Sequence, residues 1–134
     1  MKKISLIFTV LLALMISFSC RRASDNGKID GYWKIYEIYY IADGTTVTPE
    51  SRFLAIQLEL IQLESHDGAS NLTGILSYSK GADSFSVDFA TNPSPRQLFE
   101  FGFSSPQSVV HIDKADGKKL VLSTDIARIS CRKY

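Results

Sequence analysis

Gly31-Tyr32-Trp33-Lys34-Ile35-Tyr36-Glu37-Ile38-Tyr39-Tyr40 is the stretch on which the fold turns. Seven of its ten residues are aromatic or β-branched, it holds no proline, and its only glycine opens it, so it reads as a strand over 32–41. Alternation sets Trp33, Ile35, Glu37 and Tyr39 on one face and Tyr32, Tyr36, Ile38 and Tyr40 on the other. Both faces are largely apolar, as expected of a strand covered on two sides in a small closed β-barrel.

Ahead of this strand lies an export signal. Lys2 and Lys3 precede an apolar run over 4–18, interrupted only by Ser5, Thr9 and Ser17. As a helix it would reach about 22 Å, short of a hydrocarbon core of roughly 30 Å, so a signal peptide fits better than a membrane span. The run ends in Ser17-Phe18-Ser19-Cys20, which resembles the lipobox of bacterial lipoproteins. That resemblance implies lipidation of Cys20, with 1–19 removed and 20–30 acting as a polar tether to a domain over 31–134. Arg21 and Arg22 follow the lipid site, and no acidic block does, which favours a protein on the outer membrane facing the periplasm.

Beyond the first strand, β-type residues dominate and turn signals recur at intervals typical of a barrel. In the segment 53–64, Leu54, Ile56, Leu58 and Leu60 alternate before the parity passes to Ile61 and Leu63, which predicts one strand bent by a bulge near Leu60. Strands are also expected over 72–79 and 84–90. Phe99, Phe101 and Phe103 suggest a short strand over 98–103, with a helix within 94–99 as the competing reading. Strands over 108–114 and 118–124 form a hairpin about Asp116-Gly117, expected as a type I′ turn, and the last strand covers 127–133. The total is eight.

Of 134 residues, 45% are hydrophobic and 22% charged, an ordinary composition for one globular domain. Once Lys2 and Lys3 are set aside with the signal, 13 Lys/Arg face 14 Asp/Glu, mostly singly along the chain. That near balance gives no footprint for nucleic acid. Cys20 is taken by the lipid, which leaves Cys131 unpaired on the apolar side of the last strand, where a thiol is filler rather than a nucleophile.

Gly31-X-Trp33, the meander of strands and the basic last strand resemble the lipocalin pattern. The segments DNGKIDGYWKI, SRFLAIQLELIQL and DIARISCRKY make the chain similar to lipocalin-like lipoproteins of gut anaerobes, a group of uncharacterised function. The resemblance implies an all-β, eight-stranded antiparallel barrel closed at one end by Gly31 and Trp33, with an arginine of the last strand over the Trp33 ring. Arg128 or Arg132 fills that place, although parity sets both opposite Ile129 and Cys131.

The residues carry little chemistry. His66, His111 and Cys131 lie far apart, so no metal site is expected, and no cofactor motif is present. There is no G-x-S-x-G, no phosphate-cradling glycine loop and no H-E-x-x-H, which argues against an enzyme. The reading that results is a membrane-anchored, non-catalytic binding protein. Its lumen would hold a small apolar or amphipathic ligand between Trp33, Glu37 and Tyr39, with Glu37 as polar handle. The alternative is a structural or interaction lipoprotein with a filled barrel and an envelope protein as partner. A lumen packed by Trp33, the Leu54 series and 85–89 favours the latter.

Overall fold

The computed structural model describes residues 26–66, 70–90 and 92–134. Cys20, the signal and most of the tether lie outside them. A 3-10 turn, Gly27–Ile29, leads into β1 (Gly31–Tyr40). There follow β2 (Thr46–Val47), β3 (Arg52–Gln57), β4 (Leu60–Ser65), β5 (Asn71–Ser77), β6 (Ser84–Asp88), α1 (Pro95–Glu100), β7 (Gln107–Ala115), β8 (Lys119–Ser123) and β9 (Ala127–Lys133). Neighbouring strands pair antiparallel from β3 round to β9, and β1 closes the ring by pairing with β3 through Gly31 to Ile35 and with β9 through Trp33 to Tyr40. Eight strands make the barrel. The two-residue β2 is a flap on the free edge of β1, opposite Ile38 and Tyr39.

β1 serves two neighbours because it bends. Ile35 stands opposite Cys131 and Glu37 opposite Ser130, leaving Tyr36 as an extra residue. Such a bulge reverses the side-chain parity beyond it. Trp33 and Ile35 point inward before it, and Ile38 and Tyr40 after it, all in the core. Glu37 and Tyr39 therefore turn to the half-buried outer side. The expectation that they share a face with Trp33 is corrected, as is the face shared by Tyr32, Tyr36 and Tyr40.

The expected long strand over 53–64 is a hairpin, β3 and β4, with Gln57 opposite Leu60 and Leu58-Glu59 as its turn. Leu58 takes a positive φ of 55°, a conformation usually given to Gly, Asn or Asp, so the turn carried no compositional mark. Both parity sets reach the same interior, Leu54 opposite Leu63 and Ile56 opposite Ile61. The strand expected over 98–103 is replaced by α1. Ser94 and Gln97 form a capping box and Pro95 occupies the first turn, which outweighs the alternation of phenylalanines. One strand more and one fewer leave eight. In the β7–β8 connection only Gly117 has a positive φ, 87°, so the expected type I′ turn about Asp116-Gly117 is not formed. The Asp116 carboxylate accepts the backbone N–H groups of Lys118 and Lys119 at 2.9 and 2.7 Å.

Trp33, Leu54, Ile56, Phe85, Val87 and Phe89 fill the interior. Gly74 lies among them without a side chain because a Cβ there would stand 2.9 Å from both the Phe89 ring and Val87. Outside, Tyr32 stacks on Phe53 at 5.2 Å, and Tyr134 meets both edge-on. The Tyr32 hydroxyl donates to Glu64 at 2.8 Å, and the His66 ring lies 4.7 Å from that of Phe53. This cluster covers the outer side of β3 and holds the C-terminal residue.

Gly74→Ala is expected to lower the unfolding free energy by about 1–3 kcal/mol through overpacking, read from the urea midpoint. Burial and the adjacent Glu64 carboxylate push the Tyr32 hydroxyl from 10.0 up to about 12. The neutral form is favoured in the folded state, so its contribution is complete below pH 10.0 and is lost as pH rises through about 12. Urea midpoints measured upward from pH 10.0 are expected to fall less steeply in Tyr32→Phe than in the wild type.

Candidate functional site

Each end of the barrel is closed by a different device. At the first end the 3-10 turn carries Ile29 into the core, and the Trp33 Nε1–H donates to the Ile29 carbonyl at 2.9 Å. The Lys133 ammonium lies over the Trp33 ring, 4.7 Å from its centroid, and donates to the Asp30 carbonyl at 2.9 Å. Gly31 makes room for it: its φ is 140°, and a Cβ would stand 2.2 Å from Lys133 Nζ. The covering cation is thus Lys133, not Arg128 or Arg132. Ile129, Cys131 and Lys133 share the inward parity of β9, whereas both arginines are exposed on the outside. Arg128 lies instead over the Tyr39 ring at 5.6 Å.

Trp33, Glu37 and Tyr39 are therefore not brought together. Trp33 is wholly buried at the closed end, and the other two face outward.

At the opposite end the segment around α1 crosses the barrel mouth. Leu98, Phe101 and Phe103 are buried, and Phe103 meets Phe89 edge-on at 5.3 Å. Three barrel side chains hold this segment by its carbonyls. Tyr40 Oη donates to Phe99, Arg52 Nη1 to Glu100 and Thr124 Oγ1 to Gly102, each at 2.6 Å. The Tyr40 and Phe99 rings stack at 4.6 Å. Beneath the segment, the Arg52 Nε–H is buried with no hydrogen-bond partner. A buried guanidinium N–H left unpaired is costly, and an anionic or carbonyl oxygen would relieve it. Alternation alone does not set Arg52 apart as functional, yet it shares the inward parity of Leu54 and Ile56, which is the signal the sequence holds for it.

The described depressions lie on the outside of the barrel. One, between β5, β6 and β7, is lined by Ile75, Asp88 and Val109; another borders Asn26, Leu58, Leu60 and Tyr78. His111 is exposed on β7, and Cys131 is fully buried, its thiol held protonated by desolvation. Among the described residues, no three His, Cys, Asp or Glu side chains are grouped to hold a metal ion. No described helix is long and apolar enough to cross a membrane.

Two solved structures share the architecture. A lipocalin-like protein from Bacteroides uniformis ATCC 8492 superposes with a TM-score of 0.65 at 20% identity, over 81% of this chain and 100% of the other. An uncharacterized protein from Bacteroides eggerthii DSM 20697 does so with a TM-score of 0.62 at 17% identity, over 78% and 98%. At these identities the likeness is one of fold. None of the curated proteins matches the chain. The profile of the lipocalin-like domain family matches residues 13–134, and the chain belongs to that family.

Proposed function

We propose that this is a non-catalytic binding protein of the bacterial cell envelope, held to a membrane by lipid on Cys20, that engages its partner through its outer surface. A lipocalin-like barrel supports a binding role. The filled interior carries the choice of surface. An eight-stranded barrel has room either for its own side chains or for one small ligand. Here Trp33, Phe89, Phe101 and Phe103 are all wholly buried within it, and Glu37 and Tyr39, expected from the sequence to contact a ligand, are outside.

A second reading rests on Arg52. If the α1 segment swings away, Leu98, Phe101 and Phe103 leave the mouth, and the unpaired Arg52 Nε–H meets the acidic head of an amphipathic molecule. The two readings differ in what the purified protein carries.

Native mass spectrometry of the lipidated protein after incubation with an envelope extract separates them. The expected result is the mass of the protein without a small molecule, together with a co-purifying envelope protein. A reproducibly bound small molecule, lost in Arg52→Met, would establish the second reading instead. Tyr40→Phe removes one of the three tethers of α1 and is expected to lower stability by about 1 kcal/mol in urea. On the outer-surface reading it leaves the protein free of small molecules.

A further inference from the structure

Charges that are scattered in sequence are gathered by strand pairing. Arg132 on β9 stands directly opposite Lys34 on β1 and Lys119 on β8. All three point outward and form a lateral row of cations, and among the described residues none of them is in an ion pair. Like charges directly opposite one another destabilise a sheet. The row therefore costs folding free energy that an external anion would offset.

This row lies near the barrel end at which β1 begins and β9 finishes. Exposed Lys28, Lys80 and Lys118 extend it along the rim through the 3-10 turn, the β5–β6 loop and the β7–β8 turn. Two rim acids are already engaged. Asp30 accepts the Asn26 backbone and side-chain N–H groups, and Asp116 accepts the Lys118 and Lys119 amides. Together with Glu59 and Asp83 they offset part of the positive charge, and Asp116 lies 3.8 Å from the Lys114 ammonium. Exposed Leu58 stands on the same rim, its carbonyl held by the Asn26 side chain at 2.7 Å.

The chain ahead of the domain leaves from this end. Asn26 is fixed at the rim, and Cys20 precedes it by six residues, a reach of at most about 20 Å at roughly 3.4 Å per residue. We propose that this basic end docks on the anionic headgroups of the bilayer that the Cys20 lipid enters, with the Lys34–Arg132–Lys119 row and the rim lysines as the contact. The opposite end, which exposes Asp43, Glu50 and Asp125, then faces away. This rests on the anchored reading given above.

Two labels test it: a fluorophore on Ala82→Cys at the basic end, or on Thr48→Cys at the far end, both exposed positions. Buried Cys131 is left unlabelled. Lipidated protein is placed on vesicles of phosphatidylcholine, with or without phosphatidylglycerol, doped with a quencher-bearing lipid. Quenching at position 82 is expected to rise about twofold when phosphatidylglycerol is included, to stay low at position 48, and to fall back in high salt. The triple variant Lys34→Gln, Lys119→Gln, Arg132→Gln should lose that rise and still float with the vesicles, with an unfolding midpoint no lower than wild type; Arg132→Lys should keep the rise. Equal quenching on both vesicle types, or a rise retained by the triple variant, overturns the proposal. Flotation separates the underlying readings. Protein that floats only with phosphatidylglycerol vesicles lacks the anchor but still docks, and protein that floats with neither overturns both.

Discussion

β1 has to pair with two strands at once, because a sheet becomes a barrel only when its first strand also accepts the last. Its N-terminal half lies against β3 and most of its length against β9, and the two directions are reconciled at the Tyr36 bulge. The bulge hands the interior from Trp33 and Ile35 to Ile38 and Tyr40. Everything at the two ends follows. Trp33 is delivered to the end that Ile29 and Lys133 seal, and Tyr40 to the end where it holds the α1 segment by the Phe99 carbonyl.

With both ends closed, the core is completed by residues from outside the strands. Leu98, Phe101 and Phe103 enter from the segment between β6 and β7, and Ile29 from the turn before β1. Gly74 and Gly102 show how little room is left. A Cβ on Gly74 would meet the Phe89 ring, and one on Gly102 would stand 3.1 Å from the Ala127 Cβ. An interior packed this closely turns attention to the outer wall, where Leu60, Ile75 and Val109 are about half exposed or more. The two barrel ends differ in turn, one basic where the chain enters β1 and the other capped by α1.

Much of this was legible in the sequence, and the failures have physical causes. Alternation in 84–90 and 127–133 placed Phe85, Val87, Ile129 and Cys131 correctly because neither segment is interrupted by a bulge. Glu37 and Tyr39 were misplaced because a bulge inserts a residue without any compositional sign. The β3–β4 turn was hidden for a similar reason, a leucine standing where glycine or asparagine is usual. α1 was marked by Ser94, Pro95 and Gln97, but three alternating phenylalanines imitated a strand. Lys133 and Arg52 are readable from strand parity, Lys133 in step with Ile129 and Cys131 and Arg52 in step with Leu54 and Ile56. The cation row could not be read at all, because Lys34, Lys119 and Arg132 meet only through strand register.

Trp33 is the single tryptophan of the chain and sits at the centre of this account, so its emission gives the most direct test. A ring that is wholly buried, hydrogen-bonded to Ile29 and covered by Lys133 in a filled barrel is expected to emit at short wavelength and to resist acrylamide. It should also ignore an added apolar probe such as a fatty acid. Emission that is red-shifted and readily quenched, or that moves on titration with the fatty acid, would contradict the filled and sealed interior.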